Sequence, residues 1–198
     1  MTAQAEPART LEVLAIAGSL RRGSWNRRLL AAATELAPPR LHLTVYDDLT
    51  SIPMFDEDHE LTGRGGVDAL CARIAACDGL LLSTPEYNRS IPGVLKNAID
   101  WISRTDVLAG KPVAVIGATP GRWGTRLAQA ELRRVLEATE AVVMPAPAVF
   151  VREVEALFNA DGALSDAAVM IARDAATSAR EVRICMASPS TSNRPLRA

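Results

Sequence analysis

At 198 residues and a formal net charge of −1, the chain is sized for one domain and carries no excess of either sign. That balance argues against nucleic acid or an anionic membrane surface as a partner. Apolar content of 48% and charged content of 23% are ordinary for a globular protein, and a chain of this length buries about 70% of its unfolded surface. No apolar run reaches the roughly 20 residues that a membrane-spanning helix needs. The first ten residues, MTAQAEPART, have neither the basic start nor the apolar segment of a secretion signal and read as a short flexible leader.

Leu11 to Ala17 is an apolar strand interrupted only by Glu12. Trp25, Leu29, Ala32, Ala33 and Leu36 then fall on one helical stripe, which Pro38-Pro39 stops. Leu41, Leu43 and Val45 alternate with His42, Thr44 and Tyr46, the pattern of a strand with one exposed face. After a long polar loop, Val67, Leu70, Cys71 and Ile74 mark the next helix face, and DGLLLSTP (78–85) is a short apolar strand. Residues 91–104 carry apolar side chains at 91, 94, 95, 98, 99 and 102, a helical face with Pro92 in its first turn. A further buried strand covers 111–119, and Ala128, Leu132, Val135, Leu136 and Thr139 form the following helix face. Residues 141–151 make a last, irregular strand whose two prolines predict an edge position or an early break. An alanine-rich helix is expected from Ser165 to about Met186, with a flexible tail over 187–198. Five strands, each followed by a helix, imply a doubly wound parallel α/β sheet with helices on both faces.

Cys71, Cys77 and Cys185 fit neither a disulfide framework nor a zinc set, and read as buried apolar residues of a reducing, cytoplasmic compartment. With His42 and His59 the only histidines, no metal site is expected. Asp56, Glu57, Asp58, His59 and Glu60 match no calcium loop and read as a solvated charged face.

In a doubly wound sheet, ligands bind beyond the carboxyl ends of the strands, where the strand order reverses. The loops after the first, third and fourth strands are therefore the candidate site. The first, GSLRRGSWN (18–26), lacks the G-x-G-x-x-G spacing of a dinucleotide fold. It offers instead the hydroxyls of Ser19 and Ser24, the Asn26 amide, and Arg21 or Arg22, at the expected start of a helix. So many donors suit a terminal phosphate monoester better than a pyrophosphate; the plainer alternative is Ser24 as a helix cap with solvated arginines. In the second, TPEYNRSIPG, Pro85 fixes a turn, and Glu86, Tyr87 and Asn88 place an aromatic ring and amides at the sheet edge, as a flat heteroaromatic ligand requires. The plainer alternative there is a hairpin-like surface turn with an exposed tyrosine. In the third, ATPGRWGT, Thr119, Pro120, Gly121 and Gly124 suit a tight loop beneath a ring system, with Arg122 and Trp123 at its rim. Trp123 is open between stacking on a ligand, meeting a second subunit and covering core.

In order and spacing, GSLRRGSWN, TPEYNRSIPGVLKNAIDWISR and GATPGRWGTRLAQAELRRVL resemble the NADPH-dependent FMN reductase family, which includes quinone, chromate and azo-dye reductases. The likeness covers residues 11–186 and implies one flavodoxin-like, FMN-binding domain over that range, with a five-stranded sheet in the order 2-1-3-4-5. It implies that Ser19, Arg21, Ser24 and Asn26 hold the FMN phosphate. Pro85, Glu86, Tyr87 and Asn88 would line the isoalloxazine, and Thr119, Gly121 and Gly124 would support its other edge. Thr119 stands where many relatives have serine and keeps the hydroxyl. NADPH or NADH would be the electron donor, and quinones, flavins, azo dyes or chromate the acceptors. Because the cofactor carries the difficult chemistry, no catalytic side chain is expected. The same resemblance implies a homodimer or homotetramer, in which Ile52, Met54 and Phe55 pack over a neighbouring subunit's flavin. A flavodoxin-type electron carrier is the rival function, but such carriers are strongly acidic and this chain is not.

Overall fold

Seven residues with only Glu12 exposed, Leu11–Ala17, form β1 near the middle of a parallel sheet. This computed structural model describes residues 9–59, 64–146, 148–158 and 165. The chain continues through α1 (Trp25–Glu35), β2 (Leu41–Tyr46), α2 (Gly66–Ala76) and β3 (Gly79–Ser83). Among the described residues it goes on through α3 (Gly93–Ile102), β4 (Pro112–Ala118), α4 (Arg126–Glu137), β5 (Val142–Val143) and β6 (Val149–Val151), with a short 3-10 turn at Val154–Leu157 after them. The strand order is β2-β1-β3-β4-β5, with β6 also paired to β4, and every pairing is parallel. The expected doubly wound order is therefore the observed one.

The irregular last strand is split. Val142 and Val143 pair with Pro112 and Val113, whereas Val149, Phe150 and Val151 pair with Ile116, Gly117 and Ala118. Pro145 lies between the two pieces, where it removes a backbone donor and ends the ladder early. Pro92 also differs from its expected place: it is the cap before α3, with extended backbone (φ −60°, ψ 140°), rather than a residue of the first turn.

Alternate residues of each central strand feed opposite cores, as a period of two requires. Leu14, Ile16, Leu80, Leu82, Val113 and Val115 face α2, α3 and α4. Val13, Ala15, Leu81, Ala114 and Ile116 face α1 and the turn after β6. Among the described residues α1 is the one helix on that second face; the helix expected from Ser165 to Met186 lies outside them. At β2 the alternation reverses. Leu41 and Leu43 are buried as expected, but Tyr46 is buried and Val45 exposed. The polar-looking loop that follows supplies the reason: its Leu49 and Ile52 fold back into the same core as Tyr46. Arg9, assigned from sequence to the flexible leader, forms an ion pair with Asp78, whose other oxygen accepts the Glu12 N–H at 2.8 Å.

The loop after β2 is fixed by two α3 side chains one turn apart. Asn97 accepts the Phe55 N–H and donates to the Pro53 carbonyl, both at 2.8 Å, and the Trp101 indole N–H reaches the same carbonyl at 2.8 Å. Phe55 packs edge-on against Trp101, with ring centres 5.0 Å apart.

At β4, Gly117 lets Thr125 and the Thr84 carbonyl close in; a Cβ there would lie 2.1 Å from the Thr125 hydroxyl and 2.5 Å from the Thr84 oxygen. Backbone cannot yield as a side-chain tip can. Gly117→Ala is expected to cost about 1–3 kcal/mol of stability, read as a lower midpoint in urea unfolding.

Candidate functional site

The strand order reverses between β1 and β3, and a cleft of about 280 Å³ opens beyond the carboxyl ends of β1, β3 and β4. Eight of the eleven residues expected from sequence line it: Ser19, Arg21, Ser24, Asn26, Pro85, Glu86, Tyr87 and Thr119. Trp25, Ala118 and Pro120 line it as well. Trp25, which the apolar periodicity assigns to the α1 core stripe, stands at the start of the helix, stacked near Phe158 (5.2 Å) and under the Arg28 guanidinium (4.6 Å). Its position one residue beyond a helix cap at a switch point was the available signal. Ala118 is placed there by the end of β4, which no residue type announces.

In the loop after β1, Ser19 and Ser24 are buried, at 3% and 2% exposure, yet both border the cleft. Ser24 occupies the cap position of α1 without making a side-chain cap hydrogen bond, so the plain capping role does not hold. The first turn of α1 contains no acidic residue, which leaves the positive end of the helix unopposed. The Ser19 hydroxyl lies 3.3 Å from the Tyr87 hydroxyl and links this loop to the one after β3.

Asn26 does something the sequence did not suggest. Its amide NH₂ donates to the Ala118 carbonyl at 3.0 Å, while its oxygen accepts from the Ala118 N–H at 3.0 Å and the Ser83 hydroxyl at 2.9 Å. The side chain pins α1 to the ends of β3 and β4.

After β3, Tyr87 and Ser90 exchange two backbone hydrogen bonds of 3.0 Å. Asn88 and Arg89 between them have φ of 51° and 64°, the left-handed pair of a tight hairpin turn. The surface hairpin and the cleft wall are thus one structure. Its tip carries Asn88 out into solvent, away from the cleft lining, while Tyr87, 49% exposed, stays at the rim. Glu86 turns its carboxylate to α4, accepting the Leu127 and Ala128 N–H groups at 2.9 and 3.2 Å.

Gly121 and Gly124 do not line the cleft; they shape the loop behind it. Gly121 donates to the Thr119 hydroxyl at 3.2 Å and accepts from the Glu153 N–H at 3.2 Å. Gly124, with φ of 63°, lies so close to Phe150 that a Cβ would fall 2.9 Å from that residue's Cβ. The Thr119 N–H is taken by the Val151 carbonyl at 3.0 Å, so it is spent on β6 rather than offered to a ligand. Trp123 is 65% exposed and lies under the Arg122 guanidinium (5.1 Å), which removes core covering from its possible roles. In the loop after β2, Ile52 and Phe55 are used by their own chain, and of the three apolar residues expected at a neighbouring subunit only Met54 projects, at 80% exposure.

Burial pushes both the Cys71 and Cys77 thiols above their ordinary value, which makes them poor nucleophiles. Among the described residues no three His, Cys, Asp or Glu side chains gather to hold a metal ion, and no helix is long and apolar enough to cross a membrane.

A doubly wound sheet whose switch-point cleft presents hydroxyls, an arginine and an uncapped helix start is a flavodoxin-like scaffold for a phosphorylated ligand. The model of NADPH-dependent FMN reductases matches residues 11–156. A 2-hydroxy-1,4-benzoquinone reductase of Burkholderia sp is 40% identical over 77% of this chain and 84% of its own. An NAD(P)H-dependent FMN reductase of Pseudomonas aeruginosa is 42% identical over 79% and 85%. Among solved structures, the flavoenzyme NAD(P)H:(acceptor) oxidoreductase FerB of Paracoccus denitrificans superposes with a TM-score of 0.80 at 33% identity, covering 88% of this chain and 98% of its own. The chain belongs to the NADPH-dependent FMN reductase family. It is an oxidoreductase that uses FMN and NAD(P)H.

The cleft fits that cofactor. Two buried hydroxyls not spent on helix capping, beside an uncapped helix start, are the donor set a phosphate monoester needs. Replacing Asn26 by leucine would strand the Ala118 N–H, its carbonyl and the Ser83 hydroxyl in a buried place. The variant is expected to lose about 3 kcal/mol, seen as a thermal midpoint lowered by about 6–12 °C before any ligand is added.

Proposed function

We propose that the protein passes two electrons from NAD(P)H to quinones and similar small acceptors, with free flavins, azo dyes and chromate as further candidates. The observation that carries this reading is the open cleft at the switch point, walled by Pro85 and Tyr87 and floored by Ser19 and Ser24. The quinone reductase activity named for the Burkholderia relative supports it. The balance is quinone + NAD(P)H + H⁺ → hydroquinone + NAD(P)⁺. FMN held in the cleft would supply the redox chemistry that couples the two substrates.

The chain's own residues then have positional work. Ser19, Arg21 and Ser24, with the first N–H groups of α1, hold the phosphate. Asn26 keeps that helix end in place. Pro85, Glu86, Tyr87 and Asn88 form the ring-side loop, and Thr119 closes the other side, with Gly121 and Gly124 setting the loop behind it. Tyr87 at the rim shapes the space into which nicotinamide and acceptor enter in turn. No side chain here serves as a nucleophile or proton donor.

A homodimer or homotetramer fits the exposed apolar side chains of Met54, Trp123, Leu127 and Phe150, which a second copy would cover. A cytoplasmic location fits the free thiols of Cys71 and Cys77.

Protein purified with FMN should oxidise NAD(P)H steadily when a quinone is supplied, and bound flavin that NADPH and NADH both leave oxidised would instead mark an electron carrier. Ser24→Ala is expected to weaken FMN about tenfold while leaving riboflavin, which lacks the phosphate, nearly unaffected; fluorescence titration reads both. Tyr87→Ala should raise the KM of at least one substrate several-fold, and unchanged KM values for both would remove Tyr87 from the acceptor site.

A further inference from the structure

α4 begins without the means to satisfy its own first turn. Its cap residue, Thr125, has φ of 58°, and its side chain makes no cap hydrogen bond. The Thr125 hydroxyl instead accepts from the Gln129 amide at 3.1 Å. The first turn of α4 contains no acidic residue either. A local cap would normally take the N–H groups of the second and third helical residues. Those are Leu127 and Ala128, and both donate to one carboxylate oxygen of Glu86, at 2.9 and 3.2 Å.

Glu86 therefore caps a helix from 41 positions away in sequence, and it does so from between Pro85 and Tyr87, which both line the cleft. The contact joins the loop after β3 to the segment that leads from Thr119 into α4. It also spends the one negative charge of the three cleft loops. Residues 18–26, 84–93 and 118–125 contain Arg21, Arg22, Arg89 and Arg122 but no acidic residue other than Glu86. A free carboxylate there would oppose an anionic ligand; held on the positive end of α4, its charge is partly offset.

We propose that Glu86 is a positioning residue, which locks the ring-side loop and the start of α4 into one unit so that two walls of the cleft keep a fixed spacing around a flat ligand. The inference rests on the assignment of the cleft to FMN. It differs from that assignment in acting through wall geometry, without a contact to the phosphate.

The test compares wild type, Glu86→Ala and Glu86→Gln by titration with FMN and with riboflavin, and by visible circular dichroism of the flavin at saturation. Glu86→Ala is expected to weaken both ligands by the same factor, about fivefold for the loss of a cap-strength contact. Its bound flavin should show an altered dichroism band. Glu86→Gln keeps an acceptor oxygen in reach of Leu127 and Ala128 and should recover most of both effects. A Glu86→Ala protein with a lower thermal midpoint but wild-type dichroism and affinities would make Glu86 a helix cap only and overturn the proposal. A loss confined to FMN would overturn it too, by placing Glu86 at the phosphate end. If Glu86→Ala does not fold, Glu86→Gln and Glu86→Asp carry the comparison: Asp, one methylene short of the α4 N–H groups, should alter the band where Gln does not, and identical bands in both would overturn the proposal. Wild-type protein that binds neither flavin would refute the FMN assignment instead, whatever the variants do.

Discussion

The amide of Asn26 is the contact on which the cleft depends. It is a buried side chain with three hydrogen bonds, and all three go to the ends of two central strands. Without it, apolar packing alone would hold the start of α1 against β3 and β4. Polar pairing in a dry place is costly to leave incomplete, so its geometry is closely set. A ligand that needs donors at one end and a flat slot at the other gains from such fixing, because ordering the site need not be done at binding.

The same economy appears around α3. Asn97 and Trp101 lie four residues apart, on one face of the helix, and both reach the Pro53 carbonyl. The run LKNAIDW, part of one of the stretches that carry the family resemblance, therefore acts here as a clamp on the loop after β2. Its Asn97 and Trp101 meet backbone groups of a neighbouring loop, Lys96 and Asp100 pair with each other, and none lines the switch-point cleft. A distinctive motif can thus report how a scaffold is braced, with the chemistry left to a bound cofactor.

Much of this was legible in the sequence because the signals are local. Apolar runs gave the central strands, three-four spacing gave the helices, and crowded donors beyond strand ends gave the cleft loops. The departures come from partners that the periodicity of an element does not announce, most of them distant in sequence. Tyr46 looked like the solvent face of β2 until Leu49 and Ile52 were seen to fold over it. The bracing role of Asn26 stayed hidden because its hydrogen-bond partners, Ala118 and Ser83, are 92 and 57 positions away. Gly124 looked like room for a ring system, whereas its missing side chain makes room for Phe150. Residue type announces that a polar group needs a partner; only the fold says which one.

The split between β5 and β6 has a consequence for the protein in a crowded solution. An unbroken outer strand would present a long row of backbone donors and acceptors to which a stray chain could add, the first step of edge-to-edge aggregation. Here that margin is a two-residue piece and a three-residue piece, with Pro145 between them. The irregularity that makes this strand hard to read is thus also a safeguard against uncontrolled growth of the sheet.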